Sequence, residues 1–267
     1  MQEGLTESDA VKYLNDINYK ACVGKVCKSK LSGDFKILKY NGARDIEIQF
    51  LKTGYRKVAE MKEVRNGRVK DPHSPSVYGV GVVGTKYPVT INGVITKEYD
   101  LWQNMLRRCY SDSFKKRCPT YEGCEVSDKF KSYEYFYEWC HKQIGFNNEG
   151  WHLDKDLLVK GNKVYSESTC VFVPTEINLL LVKREVSRGE HLIGVCWSKT
   201  HKAFKAQINK NKGKPEHLGL FKTELEAFNT YKTAKESFIK EQAEKWKGQI
   251  DERAYEALMN YQVEITD

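Results

Sequence analysis

The sequence predicts an α+β protein with a small N-terminal β-barrel, a central strand–turn–strand–helix (ββα) element, and a C-terminal three-stranded antiparallel sheet packed on one helix. Three observations predict it. Between residues 21 and 85 apolar residues recur at every second position between glycine-containing turns, the period of half-buried strands. Between 99 and 144 they recur every third or fourth position, the period of helices. Between Trp151 and Leu181 two short apolar runs flank a Gly161-Asn162 turn and lead into Pro174-Thr175-Glu176-Ile177-Asn178, a helix start.

The expected organisation is a helix over 1–20, a barrel over 21–85, a central domain over 99–182, a C-terminal domain over 190–247 and a helix or tail over 248–267. In the first segment Thr6-x-x-Asp9 is a variant capping box, and Ala10, Val11, Leu14 and Ile17 follow at helical spacing, as in a packing or dimerisation helix. Next come Val23-x-Lys25-Val26, Phe35-x-Ile37-x-x-Tyr40 and Ile46-x-Ile48-x-Phe50, with turns at Gly33, Asn41-Gly42, Thr53-Gly54 and Asn66-Gly67. Several short strands at this spacing predict a barrel. The basic residues from Lys52 to Lys70 read chiefly as a solvated face, with nucleic-acid contact the minor reading.

Asp71-Pro72-His73-Ser74-Pro75 has the composition of a linker or an extended wrap. Gly79, Gly81 and Gly84 carry the spacing of a dinucleotide loop, but Lys86-Tyr87-Pro88 follows where such a loop requires a helix. In the next helix Leu101, Trp102, Met105, Leu106 and Cys109 form one apolar stripe with Arg107-Arg108 beside it. A second helix over roughly 129–144 places Phe130, Tyr133, Phe136, Tyr137 and Cys140 on one face, read as a hydrophobic wall for the ββα element. His141 reads as a surface or packing residue.

In the C-terminal domain Gly194-Val195-Cys196-Trp197 begins a strand. Phe204, Ala206 and Ile208 alternate on a second, which puts Lys205, Gln207 and Asn209 on its other face. His217-Leu218-Gly219-Leu220-Phe221 is the third. Thr223-x-x-Glu226 is a capping box that opens a helix with Ala227, Phe228, Tyr231, Ala234 and Phe238 at helical spacing. Seven lysines and one acid, Glu216, lie between Lys199 and Lys222, whereas a merely soluble surface mixes both signs. Lysines neutralise phosphates, and Gln or Asn reads adenine edges in the major groove, so this face points to DNA.

Composition bounds the rest. The 267 residues carry 44 Lys+Arg against 36 Asp+Glu, a net charge of +8 whose distribution says more than its size. No apolar run is long enough to span a bilayer and the opening residues do not form a signal peptide, so the expected compartment is the cytoplasm, that of the host if the chain is phage-encoded. The eight cysteines include no Cys-x-x-Cys pair. They read as free thiols, with a zinc shared by Cys109, Cys118 and Cys124 as the minor alternative.

Two family resemblances sharpen this. Trp151–Leu181, with Tyr121-x-Gly123-Cys124-x-Val126 upstream, resembles the ββα-metal site of HNH endonucleases, especially those of phage genomes. The resemblance implies one divalent cation, Mg²⁺ or Mn²⁺, held by Asp154 and Asn178, with Asp156 either a further ligand or a turn cap. Where the family has Asp-His this chain has Asp154-Lys155, so the usual general base is missing. Lys155 then positions a phosphate or supports the carboxylates. His152, two residues before Asp154 and on the same strand face, is the nearest substitute base, or else a strand histidine satisfied by its neighbours.

The C-terminal domain resembles the ethylene-response-factor type of DNA-binding domain through Gly194-Val195, Phe204-Lys205-Ala206-Gln207-Ile208, Leu218-Gly219-x-Phe221-x-Thr223-x-x-Glu226-Ala227 and Tyr231-x-x-Ala234. It implies a sheet in the major groove with contacts from Trp197, Lys199, Lys202, Lys205 and Gln207, to which the residue pattern adds Asn209, Lys210 and Lys212. Trp197 shares parity with Val195, so it is either a DNA contact or core. Cys196 stands where the family usually has Arg, so the family's sequence preference does not carry over. The expected function is metal-dependent cleavage of double-stranded DNA near a site chosen by the C-terminal sheet. The alternative is a DNA-binding or regulatory protein on a decayed nuclease scaffold, and RNA binding by the N-terminal domain is a third reading. Neither a membrane nor a small-molecule cofactor is expected as a partner.

Overall fold

A computed structural model of the chain describes residues 21–181, 190–210 and 215–267; the expected helix over 1–20 and Lys212 lie outside them. The described chain is mixed α+β and folds into two compact units. One holds residues 21–122 and 128–137, the other 123–127 and 138–267. Among the described residues no helix is long and apolar enough to cross a membrane.

The first unit begins with the antiparallel strands β1 (Val26–Ser29), β2 (Gly33–Gly42), β3 (Asp45–Phe50) and β4 (Arg56–Ala59), ordered β1-β2-β3-β4. This corrects the expected barrel: the sheet is open, because no pairing joins β4 back to β1 among the described residues. The outer strands have four residues each, too few to wrap round and meet. Other parts of the chain cover the core instead. Phe35, Ile37, Ile46, Ile48 and Phe50 project from one face onto Met61 and Val64 of α1 (Met61–Asn66) and onto Val69. Gly67 ends α1 at φ 63°, and a Cβ there would stand 3.0 Å from the Lys28 carbonyl oxygen, so only glycine lets the chain pass so close to β1.

Residues 71–75 are the wrap rather than the linker. Asp71 is 2 % exposed. Its carboxylate accepts from the Thr53 and Ser74 hydroxyls and the His73 N–H, while its own N–H donates to Ser32 Oγ. Of the glycines that follow, Gly81 serves packing: a Cβ there would collide with Leu106 and Trp102 at 2.5–2.8 Å.

A hairpin of β5 (Thr90–Ile91) and β6 (Val94–Ile95) turns on Asn92-Gly93, both at positive φ, and Thr96 then caps α2 (Lys97–Tyr110). Trp102, Met105, Leu106 and Cys109 are buried as the stripe requires, and Trp102 Nε1 donates to the Phe130 carbonyl at 2.8 Å. After α3 (Asp112–Arg117), the helix expected over 129–144 is confined to α4 (Tyr133–Cys140). The reason is tertiary. Val82 N–H donates to the Lys131 carbonyl and Tyr133 N–H to the Val82 carbonyl, a β-bridge that holds 131–132 out of the helix.

The second unit contains the expected ββα element. Strand β8 (Trp151–Asp154) pairs antiparallel with β10 (Val171–Pro174), which runs directly into α5 (Thr175–Leu180). Short β7 (Glu125–Val126) and β9 (Val164–Tyr165) pair in parallel beside it in sequence. Strands β11 (Val195–Ser198), β12 (Ala203–Ile208) and β13 (Glu216–Phe221) form an antiparallel sheet. Helix α6 (Glu224–Lys245) packs on that sheet, its Thr223/Glu226 capping box fully formed, and α7 (Glu252–Met259) packs on α6.

Two cores meet on α6. Its stretch from Ala227 to Phe238 supplies Ala227, Phe228, Tyr231 and Phe238 against Val195, Ala206 and Ile208 of the sheet. Its C-terminal end supplies Ile239 and Ala243 against Val171, Val173 and Ile177 of the ββα element, with Ala254 and Leu258 of α7 completing that core. Residues 248–267 therefore contribute to the interior of this unit.

Candidate functional site

In an antiparallel pair, residues directly opposite share a face. His152 lies opposite Val173 and Asp154 opposite Val171, and both valines pack in one core with Ile177 of α5. His152 and Asp154 are thus on the face of the hairpin that carries the helix.

His152 is exposed, and its Nε2 lies 2.9 Å from Thr175 Oγ1, at the first residue of α5. The Thr175 hydroxyl has a single proton, and it is directed at the Gly150 carbonyl 2.6 Å away. Thr175 Oγ1 must then accept from His152, which assigns the proton to Nε2 and leaves Nδ1 as the proton-accepting nitrogen of the neutral ring.

Asp154 is half-buried. Its Oδ1 accepts from the backbone N–H groups of Asp156 (2.8 Å) and Leu157 (2.7 Å), which shape the turn leaving β8. Burial holds its carboxyl above the usual Asp value, against the lowering effect of those two hydrogen bonds. Oδ2 has no donor among the described residues. Asn178 is half-buried on α5, next to the core residue Ile177, and its side chain has no hydrogen-bond partner among the described residues.

Lys155 turns inward and is 7 % exposed. Its Nζ meets Asp156 Oδ1 at 2.5 Å, donates to the Asn162 carbonyl at 2.8 Å and lies 5.7 Å from the centre of the Tyr165 ring. Asn162 returns a bond from Nδ2 to the Lys155 carbonyl at 2.8 Å. The sequence offered Lys155 two roles, and these contacts are those of a support for Asp156 and the Gly161-Asn162 turn. Asp156, with one oxygen on Lys155, is otherwise exposed.

Hard divalent cations take oxygen ligands, and Mg²⁺ keeps much of its water, needing one or two protein carboxylates. Asp154 Oδ2 and the Asn178 amide oxygen are donors of that type, carried on β8 and α5, which contact each other. No cluster of three His, Cys, Asp or Glu side chains is present among the described residues, and none of the cysteines, Cys109, Cys118 and Cys124 included, is in a disulfide. Burial pushes the Cys170 thiol, beside Val171 on β10, up to about 12, so it is protonated near pH 7.

The second candidate surface is the sheet of β11, β12 and β13. Ala206 and Ile208 face α6, which turns Lys205 and Gln207 outward. Register places Cys196 and Leu220 on either side of Lys205, and His217 beside Gln207. Trp197 belongs to the other face: it pairs with Phe204, ring centroids 4.9 Å apart, on the side of Val195. It is still 43 % exposed.

Lys199 and Lys202 are exposed in the β11–β12 turn, and Lys202 takes a positive φ of 48°. Asn209 and Lys210 leave the far end of β12, where Lys210 pairs with Glu216 at 3.0 Å. Lys222 is the last of the seven lysines counted from Lys199 in the sequence, which by itself does not place it on the sheet. Pairing of Phe204 with Phe221 brings it to the end of the sheet that carries Lys202, although the two are far apart in sequence. Only cross-strand register could have found it.

No family profile, curated protein or solved structure matches the chain.

Proposed function

We propose that the protein binds duplex DNA through the outward face and turn end of the β11–β13 sheet, and that its ββα element is a metal-dependent phosphodiesterase site of the HNH type. The observation that carries the first part is the one-sided chemistry of the sheet. Apolar residues face α6, while Lys205 and Gln207 face out, with Lys199, Lys202 and Lys222 gathered at one end. A three-stranded ribbon of this kind fits the major groove, where lysines neutralise phosphates and Gln207 is placed to read base edges.

Support for catalysis is the shared face of His152 and Asp154 over α5. Asp154 Oδ2 and the Asn178 amide oxygen would hold the cation, which when bound supplies positive charge to the phosphate and the leaving 3′ oxygen. His152, held through Nε2 by Thr175, presents Nδ1 to take a proton from the attacking water. Thr175 keeps the ring from rotating, and Lys155 keeps the turn that aims Asp154 in place.

A specific observation favours a second reading, a DNA-binding protein without cleavage. The residue in the place of the family's general base is buried and committed to structure, and one oxygen of Asp154 is spent on its own turn. Plasmid nicking with Mg²⁺ or Mn²⁺, run beside Asp154→Ala, separates the two. The nuclease reading expects metal-dependent nicking that the variant loses; DNA binding without nicking under either metal leaves the second.

A further inference from the structure

One basic cluster in the first compact unit takes no part in the ββα element or the β11–β13 sheet. Helix α2 ends in Arg107-Arg108, Ser111 turns the chain and caps α3 by accepting from the Phe114 N–H, and α3 ends in Lys115-Lys116-Arg117. This corner places two guanidiniums on one ring: Arg107 Cζ lies 5.2 Å and Arg117 Cζ 5.3 Å from the centroid of Phe114. Tyr121 meets Phe114 edge-on at 5.6 Å and fixes the ring from the side.

Both arginines are exposed, and neither has a carboxylate partner among the described residues. The only acid between Arg107 and Arg117 is Asp112. Several lysines and arginines elsewhere are answered by acids, as Lys160 is by Asp267, Lys232 by Glu236 and Arg253 by Asp251.

The helix dipole accounts for cations in the last turns of α2 and α3. It does not account for two of them sharing one ring. Holding two like charges so close is unfavourable by itself, and becomes favourable once an anion lies between or across them. The ring contact orders each side chain and leaves the guanidinium edge facing outward for paired hydrogen bonds to a phosphate. Because both guanidiniums lie within 5.3 Å of one ring centroid, the two charges are held near each other.

We propose that Arg107 and Arg117, held by Phe114, form a second phosphate site that grips the sugar-phosphate backbone of duplex DNA. The site rests on the reading of this chain as a DNA-binding protein and adds sequence-independent affinity from the unit that lacks the β11–β13 sheet. Phosphate contacts of this kind position the protein without reading bases.

The test is fluorescence anisotropy of the full chain on a labelled duplex across a salt series, with circular dichroism as the fold check. Each phosphate contact steepens the log-log salt slope by about 0.9, so the double variant R107Q/R117Q should flatten it by about 1.8. Lys205→Ala on the sheet should flatten it separately by about 0.9, and the effects should add. Phe114→Leu keeps both charges but frees them, and should weaken binding while retaining most of the slope. If wild type binds the duplex and Lys205→Ala flattens the slope while R107Q/R117Q leaves it unchanged, this site is overturned and the proposed function stands. If wild type binds no duplex at low salt, both fall. Saturable calorimetric binding of inorganic phosphate that R107Q/R117Q abolishes, with an unchanged duplex slope, would also overturn the proposal, since the site would then serve free phosphate.

Discussion

Asp154 shows how one side chain carries opposing demands. Its Oδ1 builds the turn after β8, while burial makes its charge costly. Asp154→Asn keeps an oxygen for both N–H groups and removes the charge, so it should melt at a higher temperature than wild type at pH 7 yet lose any stabilisation by Mn²⁺. The pH dependence follows in sign. With the folded value raised above 3.8, the contribution of Asp154 to stability is greatest below 3.8 and falls as pH rises through the raised value. A cation at Oδ2 favours the ionised form, so Mn²⁺-induced thermal shifts should grow across the same window. A shift that is flat with pH, or that survives in Asp154→Asn, would remove this carboxylate from the cation site. Beside it, Lys155→Met retains the buried stem but loses the bonds to Asp156 and the Asn162 carbonyl, and should cost about 2 kcal/mol in urea unfolding. His152→Ala tests the base: the expected result is a fall of roughly 10²–10⁴-fold in nicking rate with DNA affinity nearly unchanged.

Among the elements, the β11–β13 sheet is specified most fully by its own residues. Strand alternation sets which side meets α6, and the Thr223/Glu226 box sets where α6 starts. Thr223→Ala should cost about 1 kcal/mol, read as a lower midpoint of denaturation. The lysines of the same sheet are not equivalent. Lys199, Lys202 and Lys222 stand exposed at one end, and each alanine variant should flatten the salt dependence of duplex binding by about 0.9. Lys210→Ala should flatten it less, because its ammonium already pairs with Glu216. Equal effects for all four would show that the ion pair opens on DNA.

On the scale of the molecule, α6 is the member that two cores have in common. The sheet that would read DNA and the ββα element that would cut it pack on successive stretches of one helix, with α7 closing the core of the ββα element. Leu258→Ala, in the fully buried part of α7, should destabilise by about 2–5 kcal/mol and lower the melting of both elements together. Following Trp197 on the sheet and Trp151 at the ββα element by single-tryptophan fluorescence should give one coincident transition. Two separate transitions would mean that α6 does not couple them. A fragment of 190–247 alone would leave Ile239 and Ala243 uncovered, and should be less stable than 123–267.

What the sequence determined by itself is what local periodicity and turn chemistry can encode. The β11–β13 sheet with its capped helix, the ββα order of β8, β10 and α5, and the buried stripe of α2 were all legible there, since each is a repeat of two or of three to four residues closed by a cap or glycine. Tertiary structure decided the rest, through contacts between residues distant in the chain. It left the N-terminal sheet open, because short β1 and β4 do not meet and α1 with residues 67–74 covers the core instead. It shortened α4 by pairing Val82 with Ser132. It buried Lys155 against Asn162, brought Lys222 beside Lys202 and set Arg107 and Arg117 on one phenylalanine. A periodic pattern states which face a residue occupies; which distant residue it meets there is set by packing, and the chemistry of the candidate sites depends on that second choice.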